Sequence, residues 1–103
     1  MKTSEILNEI KQAVLAIEPS AEIILFGSEA RGTAGKNSDI DLLIILEKQP
    51  SYQRQDELYK PIYKLELKYE KVISPFFIGK EEWEEESRKS PFYYEVQEDG
   101  IKL

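Results

Sequence analysis

The chain has 103 residues, 41% hydrophobic and 33% charged, with a formal net charge of −6 and neither cysteine nor histidine. Those proportions describe an ordinary globular domain with one core, and the missing histidine and cysteine exclude a Ser-His-Asp triad, a Cys-His dyad, zinc sites built on either residue, disulfides and redox motifs. The acid excess speaks against a stand-alone nucleic-acid binder, which needs basic groups to neutralise phosphates, so no direct nucleic-acid binding is expected.

In chain order, the first element is an amphipathic helix from Thr3 to Ile17, with Thr3 or Ser4 as cap and Leu7, Ile10, Val14 and Ile17 in one apolar stripe. Glu18-Pro19 ends it, because proline disfavours a helical residue before it. Ala21 to Phe26 reads as a strand, Ser28 to Arg31 as a short helical turn, and Gly32 to Asn37 as a loop of turn formers. Asp39 to Glu47 is a second strand, and its unbroken run Leu42 to Leu46 indicates burial on both faces. After Gln49-Pro50, Ser51 caps a third helix reaching about Tyr69, since Leu58, Ile62, Leu65 and Tyr69 recur at helical spacing. Pro61 and the strand-like alternation from Leu65 to Tyr69 argue the other way. Lys71 to Ile78 is a third strand, which Pro75 assigns to a sheet edge or a bulge. Lys80 to Arg88 is an acidic helix anchored by the single Trp83; Ser90-Pro91 opens a last helix that Gly100 stops, leaving Ile101 to Leu103 as a tail. Residues 1–103 thus read as a single domain of α/β (α+β) class. No apolar run approaches the roughly 18 residues of a membrane span and the first residues are no secretory leader, so a cytoplasmic protein without a membrane partner is expected.

The chemistry concentrates between the first two strands. Residues two apart on a strand project to one face about 7 Å apart, so Asp39 and Asp41 point together while Ile40 turns to the apolar side. Two adjacent carboxylates repel unless a cation or donors neutralise them. Mg²⁺ suits such a pair, because it usually takes one or two carboxylates and completes its shell with water and substrate phosphates. Gly27-Ser28 supplies the other end, since glycine lets a backbone approach closely and a helix start presents N–H groups to an anion. Each residue also has a plainer reading. One aspartate caps a turn and the other is solvated; Gly27-Ser28 is a strand-to-helix turn with serine as cap. Arg31 holds phosphate or pairs with Glu29 or Asp39. Glu81, Glu82, Glu84, Glu85 and Glu86 make a solvated face, the tyrosines Tyr59, Tyr63, Tyr69, Tyr93 and Tyr94 belong to core and rim, and Lys60, Lys64 and Lys68 share a helical face.

Gly27-Ser28, ten residues, then Asp39-Ile40-Asp41, together with Arg31-Gly32 and Ser38-Asp39-Ile40-Asp41-Leu42, resembles the signature of the minimal nucleotidyltransferases in the DNA polymerase beta-like superfamily. The resemblance implies the nucleotidyltransferase fold, a small mixed central sheet with flanking helices. It implies ATP or another nucleoside triphosphate as substrate, Mg²⁺ on Asp39 and Asp41 as the catalytic and metal-binding pair, and nucleotide contacts from Gly27, Ser28 and Arg31. It further implies transfer of AMP or another NMP to an acceptor hydroxyl, a tyrosine of a HEPN-domain toxin partner, in an antitoxin role. One departure bears on activity. Fully active members carry a third carboxylate on the strand after the third helix, and here that strand reads Val72-Ile73-Ser74-Pro75-Phe76-Phe77, with Glu66 and Glu70 only before it. The alternative expectation is therefore a weakly active or inactive binding module that regulates its partner by contact.

Overall fold

In the computed structural model, which describes residues 2–35, 38–86 and 89–103, helices flank a four-stranded mixed sheet. The elements run α1 (Lys2–Ile17), β1 (Glu22–Phe26), α2 (Ser28–Arg31), β2 (Ile40–Leu46), α3 (Tyr52–Tyr69), β3 (Ile73–Gly79), α4 (Lys80–Glu86), α5 (Pro91–Asp99) and β4 (Ile101–Lys102). The sheet order is β3-β2-β1-β4. β2 pairs antiparallel with β1 and parallel with β3, while β4 pairs antiparallel with β1. A parallel pair needs a long crossover, and α3 provides it.

Strand alternation divides the core in two. Ile40, Leu42, Ile44 and Leu46 of β2 face α1 and α3, where Ile10, Val14, Leu58 and Ile62 are fully buried. Leu43 and Ile45 face the other way, against Trp83 of α4 and Val96 of α5. Burial of β2 on both faces follows directly from its unbroken apolar run. Trp83 anchors the acidic α4, and Pro75 lies on the edge strand β3, both as the sequence indicates.

Several boundaries differ from the sequence-based expectations. α1 begins at Lys2, so Thr3 and Ser4 lie inside its first turn and do not cap it. β2 is bounded by Ile40 and Leu46, leaving Asp39 just before it and Glu47 just after. α3, by contrast, stays helical through Pro61 to Tyr69, the end that the spacing of Leu58, Ile62, Leu65 and Tyr69 indicates. An internal proline costs about 3 kcal/mol, whereas burying Leu58, Ile62 and Leu65 returns about 1.5–3 kcal/mol each, so helical burial prevails over the short alternation. The C-terminal residues are no loose tail: Ile101 and Lys102 pair with Leu25 and Ile24 and cover the outer edge of β1. The expected end of the fourth helix at Ser87 and Arg88, and of the motif loop at Lys36 and Asn37, lies outside the described residues.

Candidate functional site

β1 ends at Phe26, and Gly27 turns the chain into α2 with φ 77° and ψ −158°, backbone angles essentially confined to glycine. The antiparallel register sets Phe26 opposite Asp41, which brings this turn beside the second aspartate. A Cβ built on Gly27 would stand 2.5 Å from Asp41 Oδ2. The glycine therefore serves twice, supplying a conformation other residues resist and leaving room for a carboxylate on the central strand. As N-cap of α2, Gly27 has no side chain to bond the first N–H groups of the turn, so these are left to other acceptors.

Asp41 lies on the same sheet face as Leu43 and Ile45, at the end that continues into the motif loop. Burial pushes its carboxyl above the ordinary aspartate value, the negative charge of Asp39 adds to the rise, and the guanidinium of Arg31 opposes it. Both Asp39 and Arg31 therefore lie near enough for their charges to act on Asp41. The consequence is a metal-free stability that depends on pH in a definite sense. The folded chain holds the Asp41 proton to higher pH than the unfolded chain does. This group therefore favours the folded state fully below its unfolded pKa, near 3.8, and that benefit is lost as pH rises through the raised folded value. In EDTA, Asp41→Asn should flatten this component of a Tm-against-pH curve and make the protein more stable than the wild type at neutral pH. A neutral-pH loss of stability would mean instead that the charged carboxylate is a structural partner.

α2 is held from two sides. Glu29 pairs with Lys71 at 3.5 Å, both side chains largely shielded at 12% and 17% exposure. Arg31 pairs with Asp99 at the end of α5 at 3.6 Å. Neither partner expected for Arg31, Glu29 or Asp39, is its ion-pair partner. Sequence separation hid Asp99; its only local signal is an acid placed just before the glycine that ends the last helix.

Among the described residues the fold brings no third carboxylate to the pair. The parallel register sets Ser74 opposite Asp41. Glu66 is committed elsewhere, accepting from the Ile73 N–H at 2.9 Å and from the Tyr59 hydroxyl, so it ties the start of β3 to α3. Glu70 ends α3 in the left-handed region at φ 50°. Among the described residues no third acid joins Asp39 and Asp41 in a group able to hold a metal. The donor set therefore fits one hard cation that takes its remaining ligands from water or substrate oxygens, and not a fully protein-held ion.

The lysine face of α3 is partly used within the chain. Lys68 donates to Glu9 at 2.9 Å, and Tyr69 donates to the same carboxylate. Lys60 and Lys64 flank Tyr59 and Tyr63 along a groove of about 430 Å³, away from the motif. A second cavity of about 330 Å³ lies between Glu18, Lys48 and Arg54, also away from it. Among the described residues no helix is long and apolar enough to cross a membrane.

A family model, nucleotidyltransferase domain, matches residues 7–99. "Putative protein adenylyltransferase MJ0141" of Methanocaldococcus jannaschii is 31% identical over 105 residues, with 100% of both chains covered. Among solved structures, a chain from a toxin–antitoxin crystal structure with AMP-PNP superposes with a TM-score of 0.62 at 22% identity, covering 92% of this chain and 69% of that one. A chain from a mutant of the MntA–HpeT toxin–antitoxin gives 0.61 at 22% identity, covering 93% and 69%. At such identities the structural likeness establishes the fold, a mixed α+β architecture shared with those chains.

Proposed function

The chain belongs to the nucleotidyltransferase domain family, and from that premise we propose that it transfers AMP from Mg²⁺-ATP to a hydroxyl on a protein partner. The observation that carries this reading is the Asp41 carboxylate, seated against Gly27 and beside Asp39, with the open start of α2 next to it. Asp39 and Asp41 would hold Mg²⁺, which supplies charge neutralisation for the phosphates. Ser28, the first N–H groups of α2 and Arg31 would hold the β- and γ-phosphates. The acceptor oxygen forms a bond to the α-phosphorus in line with the breaking α–β bridge bond; pyrophosphate leaves and the hydroxyl proton passes to solvent. The protein's part is orientation and charge placement, with no covalent intermediate.

The partner side of the reading has separate support. One relative carries the name of a protein adenylyltransferase, and the similar solved chains come from toxin–antitoxin structures. A tyrosine of a HEPN-domain toxin is accordingly the acceptor we propose, with this chain as a cytoplasmic antitoxin. The test is to mix the chain, ATP and Mg²⁺ with the product of the neighbouring reading frame and weigh the partner by intact mass spectrometry. One or more added AMP groups, absent in EDTA, are expected.

A second reading rests on Ser74. With a hydroxyl where a third carboxylate would stand opposite Asp41, turnover loses a ligand that would help hold a second ion. In that reading the chain has weak or no transferase activity and restrains its partner by contact. Calorimetry tests the metal role that both readings share: metal-assisted binding requires Mg²⁺-ATP to bind at least about tenfold tighter than ATP in EDTA, because the paired aspartates otherwise repel the phosphates. Equal affinities would remove the metal role from Asp39 and Asp41.

A further inference from the structure

We propose that Phe76, propped by Phe92, is the shelf on which the nucleobase stacks; this deepens the nucleotide reading above and rests on it. The register places the ring. Asp41 is opposite Ser74 and Leu43 is opposite Phe76, so Phe76 projects on the same sheet face as the Asp41 carboxylate, one two-residue strand step further along. That step is about 7 Å, comparable with the span of a ribose between an α-phosphate and its base. A nucleotide whose phosphates lie at Gly27 and Asp41 can therefore lay its base over β3.

The ring is both available and fixed. Phe76 is 46% exposed on an edge strand, where a large apolar side chain has no packing reason to stand in water. Phe92 meets it edge-to-face at 6.0 Å and 76°. Phe92 is itself held by Phe26 at 5.2 Å and by Trp83 at 5.9 Å, both edge-to-face. Phe26 is the residue before Gly27 and the partner of Asp41 in the ladder, so the aromatic group runs without a break from the phosphate turn to Phe76. Stacking reads the π-face of a base and not its hydrogen-bonding edge, so the shelf favours purines over pyrimidines through stacking strength.

The test compares two probes that share the phosphate tail, Mg²⁺-ATP and Mg²⁺-tripolyphosphate, by calorimetry on wild type, Phe76→Ala and Phe76→Trp. Wild type should bind ATP more tightly than tripolyphosphate. Phe76→Ala should weaken ATP about tenfold and leave tripolyphosphate within twofold, and Phe76→Trp should retain ATP binding. An unchanged ATP affinity in Phe76→Ala overturns the proposal, and so does an equal loss for both probes, which would report a disturbed site. Unchanged ATP binding with weakened partner binding overturns it too, assigning the ring to a protein contact. If tripolyphosphate binds wild type but ATP binds no tighter, only the shelf fails; if neither probe binds, the nucleotide reading fails with it.

Discussion

Gly27→Ala should cost about 2–4 kcal/mol of stability and abolish Mg²⁺-dependent nucleotide binding. Two independent penalties meet there. The backbone angles, φ 77° and ψ −158°, fall where a side chain costs about 1–3 kcal/mol. The added carbon would also stand 2.5 Å from Asp41 Oδ2, well inside contact distance. The Asp41 backbone is laddered to Phe26 on one side and to Ser74 on the other, so its side chain is the part that gives way. Its carboxylate would swing out of the place from which it is proposed to meet the metal. Gly32→Ala is the control: it too has positive φ, 74°, but nothing lies within 4 Å of its Cβ position. That variant should lose about 1 kcal/mol from strain and keep its binding. Urea denaturation and calorimetry measure both quantities, and a third variant locates the cause. In an Asp41→Ala background the destabilisation by Gly27→Ala should shrink, because the steric partner is gone while the strain remains. Undiminished Mg²⁺-ATP affinity in Gly27→Ala would break the link between this turn and the site.

The parts legible in the sequence were those encoded locally. The run Leu42 to Leu46 announces a strand buried on both faces, and Leu58, Ile62 and Leu65 announce the inner face of α3. Gly27, Ser28, Asp39 and Asp41 are readable together because a turn and a strand end each have their own residue chemistry, and the antiparallel register sets Phe26, next to Gly27, opposite Asp41. What stayed hidden depends on non-local pairing. A two-residue strand such as β4 has too few residues for alternation to show, and it exists because β1 offers an unpaired edge. The Arg31–Asp99 and Glu29–Lys71 pairs join residues far apart in sequence, where each charge has many equivalent candidates. Glu66 is engaged through both oxygens, one tying the start of β3 to α3 and the other held by Tyr59 within α3, and its sequence position gives no sign of either bond. Phe76 reads as one more apolar strand residue; only its register with Leu43 and its exposure give it another meaning.

Asp41→Ala should reduce AMP transfer to the partner by at least about 100-fold while leaving the metal-free fold no less stable than wild type. The first half follows from the role proposed for the carboxylate: removing a group that places positive charge at the reacting phosphate typically costs a factor of about 10²–10³. The second half follows from its environment, since burial and Asp39 both penalise the charged form and alanine removes that penalty. A purely structural aspartate would give the opposite pair of results, a lower Tm and a loss of activity that merely tracks unfolding. Ser28→Ala should act more mildly, about tenfold, because α2 keeps its N–H groups when the hydroxyl is removed. Ser74→Asp probes the missing ligand from the other side by adding a carboxylate opposite Asp41. If turnover is limited by that absence, the variant should transfer AMP faster than wild type at saturating Mg²⁺; an unchanged rate would mean that two carboxylates suffice. The reading as a contact module predicts a different pattern throughout: no mass added to the partner by any variant, and inhibition of the partner by Asp41→Ala equal to that by wild type. A half-buried carboxylate beside an exposed like charge is costly to maintain where no cation uses it. That cost is the physical reason for placing the transferase reading first, and the inhibition measured with Asp41→Ala decides whether the charge is kept for chemistry or survives only as part of a binding surface.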